Sequence, residues 1–435
     1  MIRLNLILLL ALGQAVFSER LALHLATGGR GVVGVPELLG PWVVFALVLL
    51  PCWGVLGRAL GTRRFLLFWM PFHGLSILLP LLGVALGGFP PRSAYAAWAA
   101  LTPLAFVLLG AAGGFQAPGA ARLARSYFLF AVLAQAAMAT VQTLGQLAWL
   151  PGILKPVYTW DFNVKVAYQS GNIILGRATG FYLNPNALGV WALLAWWTSC
   201  FLLKGTRRWV GCAAAGLTIL LCQSRGTLAA FLVSGAGYGL VWMFRLAGRR
   251  QRLGGTLGLA LGLLALLAVA MPGSADPAGN RLASVPVLGQ ALERYASGAR
   301  VLSRGASADA NFGERTRYWR AAITYLGGHP FGSLGSTQMV LGVPPDNQYV
   351  AALEQGSFLY FGALLLALCG GLRLVTSPRA PSRLLAVASL ALMVNGVSAV
   401  PFAYPASLLF WLLVGLQAAE QVRRREWAPQ EVDPP

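Results

Sequence analysis

The chain has 435 residues, 57% hydrophobic and only 11% charged, with a mean hydropathy of +0.66. Soluble domains carry about 25% charged residues, so this inventory cannot cover a water-exposed surface. It excludes a soluble globular enzyme, a disordered chain and a fibrous protein, and leaves an all-α polytopic membrane protein. The formal net charge is +20, from 33 Lys+Arg against 13 Asp+Glu. In a soluble protein such an excess would suggest nucleic acid. Here the bases fall mostly between apolar runs, which points to control of topology, and no nucleic-acid partner is expected.

In chain order, twelve candidate spans are expected at 4–24, 38–57, 65–88, 94–114, 126–147, 187–203, 209–223, 227–244, 256–272, 351–372, 384–401 and 403–420. Each is near the roughly 20 residues that a bilayer requires. The first follows Arg3 and could pass for a signal peptide, but the many spans behind it favour an uncleaved helix. Span seven is short, and Pro401 and Pro405 interrupt the last two. Basic clusters follow the even-numbered boundaries: Arg58, Arg63 and Arg64; Arg122 and Arg125; Lys204, Arg207 and Arg208; Arg245, Arg249, Arg250 and Arg252; Arg373, Arg379 and Arg383; Arg423, Arg424 and Arg425. Twelve spans with both termini cytoplasmic put every cluster inside, as the positive-inside rule requires.

The chain therefore divides into five helices (1–147), an outer loop (148–186), helices six to nine (187–272), a large outer loop (273–350), the last three helices (351–420) and a cytoplasmic tail (421–435). Loops beyond about 15 residues are usually functional or disordered. Within the large one, apolar periodicity predicts short helices at 287–295 and 314–326. The five cysteines show no CxxC spacing, so neither a metal cluster nor a disulfide framework is supported. No Walker loop and no DxD pair occur, so neither nucleotide hydrolysis nor a metal-held nucleotide sugar is expected. No metal or cofactor is assigned.

Three outer segments carry the chemistry. Arg177-Ala178-Thr179-Gly180 leads into Asn184-Pro185-Asn186, which fits a helix start, with Asn184 or Asn186 as cap and Pro185 in the first turn. Ser224-Arg225-Gly226 fills the tight turn between spans seven and eight. Arg225 is either a functional charge at the membrane or an interfacial arginine reaching for headgroups. The third segment begins at Glu314-Arg315-Thr316-Arg317-Tyr318-Trp319-Arg320, where Arg315 and Trp319 share a helix face and Arg317 and Arg320 lie on another. It continues through Gly328-His329-Pro330-Phe331-Gly332-Ser333-Leu334-Gly335 to Asp346-Asn347-Gln348-Tyr349 and ends at Glu354-Gln355-Gly356. Guanidinium groups bind phosphate bidentately and stay protonated, so Arg177, Arg225 and Arg315 together could clamp a pyrophosphate. Asp346 could take a proton from an attacking hydroxyl, or it could cap the helix that starts near Gln348. His329 fits a turn, and His24 and His73 have no informative context.

Taken in order, these motifs resemble the O-antigen ligase and O-antigen polymerase superfamily of bacterial membrane proteins. The likeness covers the topology and about the last 260 residues: Arg-x-x-Gly before Asn-Pro-Asn, then Ser-Arg-Gly, Arg-x-x-x-Trp, His-Pro-x-Gly-x-x-Gly, and an acidic residue before Asn-x-Tyr. The resemblance implies metal-independent transfer of a glycan from undecaprenyl pyrophosphate to an acceptor hydroxyl, on the periplasmic face of the inner membrane. It places Arg177 and Arg225 on the donor pyrophosphate, with Arg315 beside them, and Asp346 as the base. Arg317, Arg320, His329, Asn347 and Tyr349 complete the candidate substrate-binding set. Ligases usually carry His-Asn where this chain has Asp346-Asn347, which favours a polymerase joining lipid-linked repeat units. The implied partners are the lipid-linked donor and acceptor oligosaccharides, the lipid bilayer and, as a candidate, a chain-length regulator protein. A ligase acting on a lipid A core or on protein is the runner-up. A transporter is the main alternative outside the enzymes, although the spans hold almost no acidic residues and show no internal repeat.

Overall fold

A computed structural model of the chain describes residues 57–58, 61–88, 97, 100–114, 118–144, 177–182, 184–246, 310–334 and 346–427. The spans expected at 4–24, 38–57 and 256–272, and the short helix at 287–295, lie outside these residues, except for Gly57. Among the described residues every regular element is helical: α1 (Arg63–Phe68), α2 (Met70–Ala85), α3 (Leu101–Gly114), α4 (Pro118–Thr143), α5 (Pro185–Leu202), α6 (Gly205–Cys222), α7 (Arg225–Leu246), α8 (Ala310–Gly328), α9 (Gln348–Leu372), α10 (Ala380–Gly396) and α11 (Leu408–Trp427). Three of them contain stretches long and apolar enough to cross a membrane: Arg125–Thr143, Arg225–Met243 and Gln348–Leu372. The protein is thus a helical one with helices suited to a bilayer.

Prolines set the local departures from the expected spans. Span 65–88 divides into α1 and α2 at Trp69, because Pro71 in the first turn of α2 has no N–H to continue the earlier helix. The last two expected spans are parted by two 3-10 turns, Pro401–Ala403 and Pro405–Ser407. The helix expected at 314–326 lies inside α8.

Helix α10 is the hub, packed against α5, α7, α9 and α11. Small residues allow the closest approaches. A Cβ on Gly110 of α3 would overlap the Leu412 carbonyl of α11, and one on Gly415 would overlap the Val107 carbonyl, so these two helices meet backbone to backbone. Asn395 of α10 donates to Thr227 Oγ1 of α7 at 3.3 Å. Helix α9 is broken at Gly356 and Ser357, where Ser357 takes φ 55°. The break leaves the Glu354 carbonyl free to accept from Ser333 N at 2.6 Å. The turn after α8 thereby docks onto α9.

Candidate functional site

The Arg177 segment is held by two glutamines on α4. Gln142 Oε1 accepts from Thr179 N and Gly180 N at 3.0 and 2.8 Å, and its amide donates to the Gly180 carbonyl at 3.0 Å. Gln135 Oε1 accepts from Phe181 N at 3.0 Å. Gly180 has φ +58°, and a side chain there would collide with Gln135. Arg177 is thereby driven inward: it is only 7% exposed, and its Nε donates to the Cys222 carbonyl at the end of α6 at 3.1 Å. Its Nη2 donates to Asn186 Oδ1 at 3.3 Å. Asn184 is the cap of α5, accepting from Asn186 N at 2.8 Å, and Pro185 occupies the first turn.

The Ser-Arg-Gly turn begins one residue after Gln223, a buried residue in the left-handed conformation at φ 48°. Ser224 accepts from Thr227 N and caps the start of α7, and Arg225 is half-buried there. Gly226 abuts Ser398, just past α10, so closely that a Cβ would overlap Ser398 Oγ.

From α8, Arg315 reaches the same place. Its Nη1 donates to the Ser398 carbonyl at 3.2 Å and its Nη2 pairs with Asp346 Oδ2 at 3.0 Å. Its Nε is buried without a hydrogen-bond partner. The cap of α9 is Asn347, not Asp346. Its Oδ1 accepts from Tyr349 N and Val350 N, and its Nδ2 donates to the Val397 carbonyl at 3.0 Å. Asp346 is left to the ion pair, and its side chain is 43% exposed. Tyr349 donates to the Met393 carbonyl at 2.6 Å and locks α9 to α10.

The structure therefore brings Arg177, the Ser-Arg-Gly turn, Arg315 and Asp346 to one junction, at the ends of α6 and α10. Arg317 and Arg320 are exposed on another face of α8, Arg317 lying over Tyr318 at 5.4 Å. His329 is exposed and stacks on Tyr325 at 4.0 Å. Burial, and secondarily Glu354, push the Tyr325 phenol above its ordinary range. Asn347 and Tyr349 serve the junction as fasteners.

Sequence reasoning missed two members. Ser398 supplies both the carbonyl for Arg315 and the surface against Gly226. Tyr404 lies near Asn186 and in the fields of Asp346 and Arg315, so it stands between the Arg177 and Arg315 sides. A signal existed: Asn395, Ser398, Pro401 and Pro405 break an otherwise apolar stretch. Among the described residues no group of three His, Cys, Asp or Glu side chains is placed to hold a metal. No family model and no curated protein matches the chain.

Proposed function

We propose that the chain is a membrane-embedded glycosyltransferase that joins undecaprenyl-pyrophosphate-linked repeat units of a surface polysaccharide, on the periplasmic face of the bacterial inner membrane. The single observation that supports it is the convergence of Arg177, the Arg225 turn, Arg315 and Asp346 from segments far apart in the chain. In this proposal the chain crosses the membrane twelve times with both termini cytoplasmic, and the junction faces outward.

The donor pyrophosphate sits against the arginines. A pyrophosphate carries more charge than one carboxylate, so it competes for Arg315 and releases Asp346 from its ion pair. The acceptor hydroxyl oxygen then attacks the anomeric carbon, and its proton passes to Asp346. The bond from that carbon to the pyrophosphate oxygen breaks, and the electron pair leaves with undecaprenyl pyrophosphate. The arginines stabilise the charge that grows on the leaving group. Attack on the face opposite the leaving group inverts the anomeric centre.

The test is the surface glycan of a deletion strain, complemented by wild type, Arg225→Ala and Asp346→Asn. Polymerase action predicts a single-repeat band in the deletion and in both variants at normal protein level. Loss of all surface glycan with accumulation of lipid-linked polymer would identify a ligase instead. An unchanged ladder with Arg225→Ala would refute the clamp.

A further inference from the structure

Behind Tyr404 lies a cavity of about 360 Å3, walled by α2, the start of α3, α9 and the turns before α11. That volume falls within the roughly 300–1,000 Å3 of small-molecule sites. Its lining differs in kind from the junction. Among the described residues no Lys, Arg, Asp or Glu contributes to it. Its aromatic members form a stack: Phe72 lies parallel to Tyr360 at 5.4 Å and to Trp411 at 5.4 Å. The lining also carries neutral hydrogen-bonding groups, namely Ser76, Thr102, Gln348, Gln355 and Ser407. Ser76 and Tyr360 share a hydrogen bond of 2.8 Å. At the buried end, both ring nitrogens of His73 and the indole N–H of Trp411 have no hydrogen-bond partner, although His73 is 1% exposed and Trp411 fully buried.

An isoprenoid chain would leave such groups unmatched, and leaving buried donors and acceptors unmade is costly. A phosphate or a uronic acid would find no cation among these described residues. A neutral sugar ring meets both requirements, with C–H faces for the aromatic walls and hydroxyls for the amides and hydroxyls. Tyr404 belongs to both places: it lines the cavity and lies near Asn186, in the fields of Asp346 and Arg315. We infer that this cavity is a binding site for an uncharged saccharide ring, adjoining the charged junction across Tyr404. The inference deepens the glycosyl-transfer proposal and rests on it for the sugar's carrier.

The test is saturation-transfer NMR on the purified full chain in detergent. The probes are the neutral methyl glycosides of glucose, galactose, mannose, rhamnose and N-acetylglucosamine, with methyl glucuronoside and farnesol as contrasts. At least one neutral glycoside should bind. Gln355→Trp and, from the facing wall, Thr102→Trp should weaken it at least tenfold while gel-filtration behaviour is kept. Arg315→Ala should leave it unchanged. Binding by the glycosides themselves marks the acceptor's sugar, whereas binding only of the same sugars as 1-diphosphates, still lost in the filled variants, marks the donor's. Binding of none of these sugars, binding insensitive to both fillings, or farnesol bound in a filling-sensitive way would overturn the inference. No turnover is involved, so this outcome is independent of the glycan ladder of Arg225→Ala.

Discussion

Gly226 offers a sharp test of how the junction is assembled. It lies in the first turn of α7 and faces Ser398. Adding a methyl there would overlap Ser398 Oγ and stand 3.0 Å from Ser398 Cβ. The hydroxyl can rotate away, but Cβ moves only if the backbone after α10 moves with it. Alanine favours a helix by up to about 1 kcal/mol over glycine, while overpacking costs about 1–3 kcal/mol, so Gly226→Ala should be net destabilising. Function should suffer more, because the displaced Ser398 carbonyl is the one that holds Arg315. Ser398→Gly removes both crowding atoms, so the double variant should regain stability and polymer length over Gly226→Ala alone. The assay pairs chemical denaturation of the purified protein with the surface-glycan ladder, read as a double-mutant cycle. A Gly226→Ala protein with wild-type stability and ladder, or a double variant no better than the single, would refute the reasoning.

Two further predictions concern the fasteners. Gln142→Ala leaves the amides of Thr179 and Gly180 without their acceptor. A buried amide so orphaned costs about 1–3 kcal/mol, and Arg177 should lose its position, so both the denaturation midpoint and polymer yield should fall; unchanged yield would separate Arg177 from the site. Asn347→Ala removes the cap of α9 and the tie to Val397. It should cost about 0.5–2 kcal/mol, with Asn347→Asp milder because the capping oxygen survives, and denaturation curves decide the order.

What the sequence disclosed was local. Asn184-Pro185-Asn186 announces its helix because a cap and a first-turn proline act within three residues. Pro401 and Pro405 forecast an interruption and the structure places two short turns there. The arginines were legible as types, since a guanidinium between apolar helices is costly without a reason. Their carbonyl acceptors were not. Besides Asn186 and Asp346, Arg177 and Arg315 each reach a backbone carbonyl, which every residue carries, and Ser398 lies 83 residues from Arg315. Gln135 and Gln142 did leave a trace: seven residues apart on α4, they share a face, and both hold the Arg177 segment. The His-Pro-x-Gly turn was ambiguous in the sequence because glycine suits both ligand approach and packing. Here Gly332, at φ +74°, lies against the break in α9, and a side chain would strike the Glu354 carbonyl.

The carbonyl acceptors raise an alternative that the chemistry can separate. The last carbonyls of a helix lack partners and carry partial negative charge. Arg177 at the end of α6 and Arg315 just past α10 could therefore be end caps and nothing more. A cap needs a cation with a donor, and lysine supplies both. A pyrophosphate clamp needs the planar fork, which lysine lacks. Arg315 uses one arm on the Ser398 carbonyl and the other on Asp346, so its fork is already turned with one arm fixed and one exchangeable. Arg315→Lys should keep most of the stability, since the surviving charge still meets the carbonyl, yet should lose polymer. With side chains 21% and 43% exposed, the Asp346 pair is partly screened and contributes on the order of 1 kcal/mol or less, so its loss alone should not unfold the chain. An Arg315→Lys variant that makes full-length polymer would leave Arg315 as a cap.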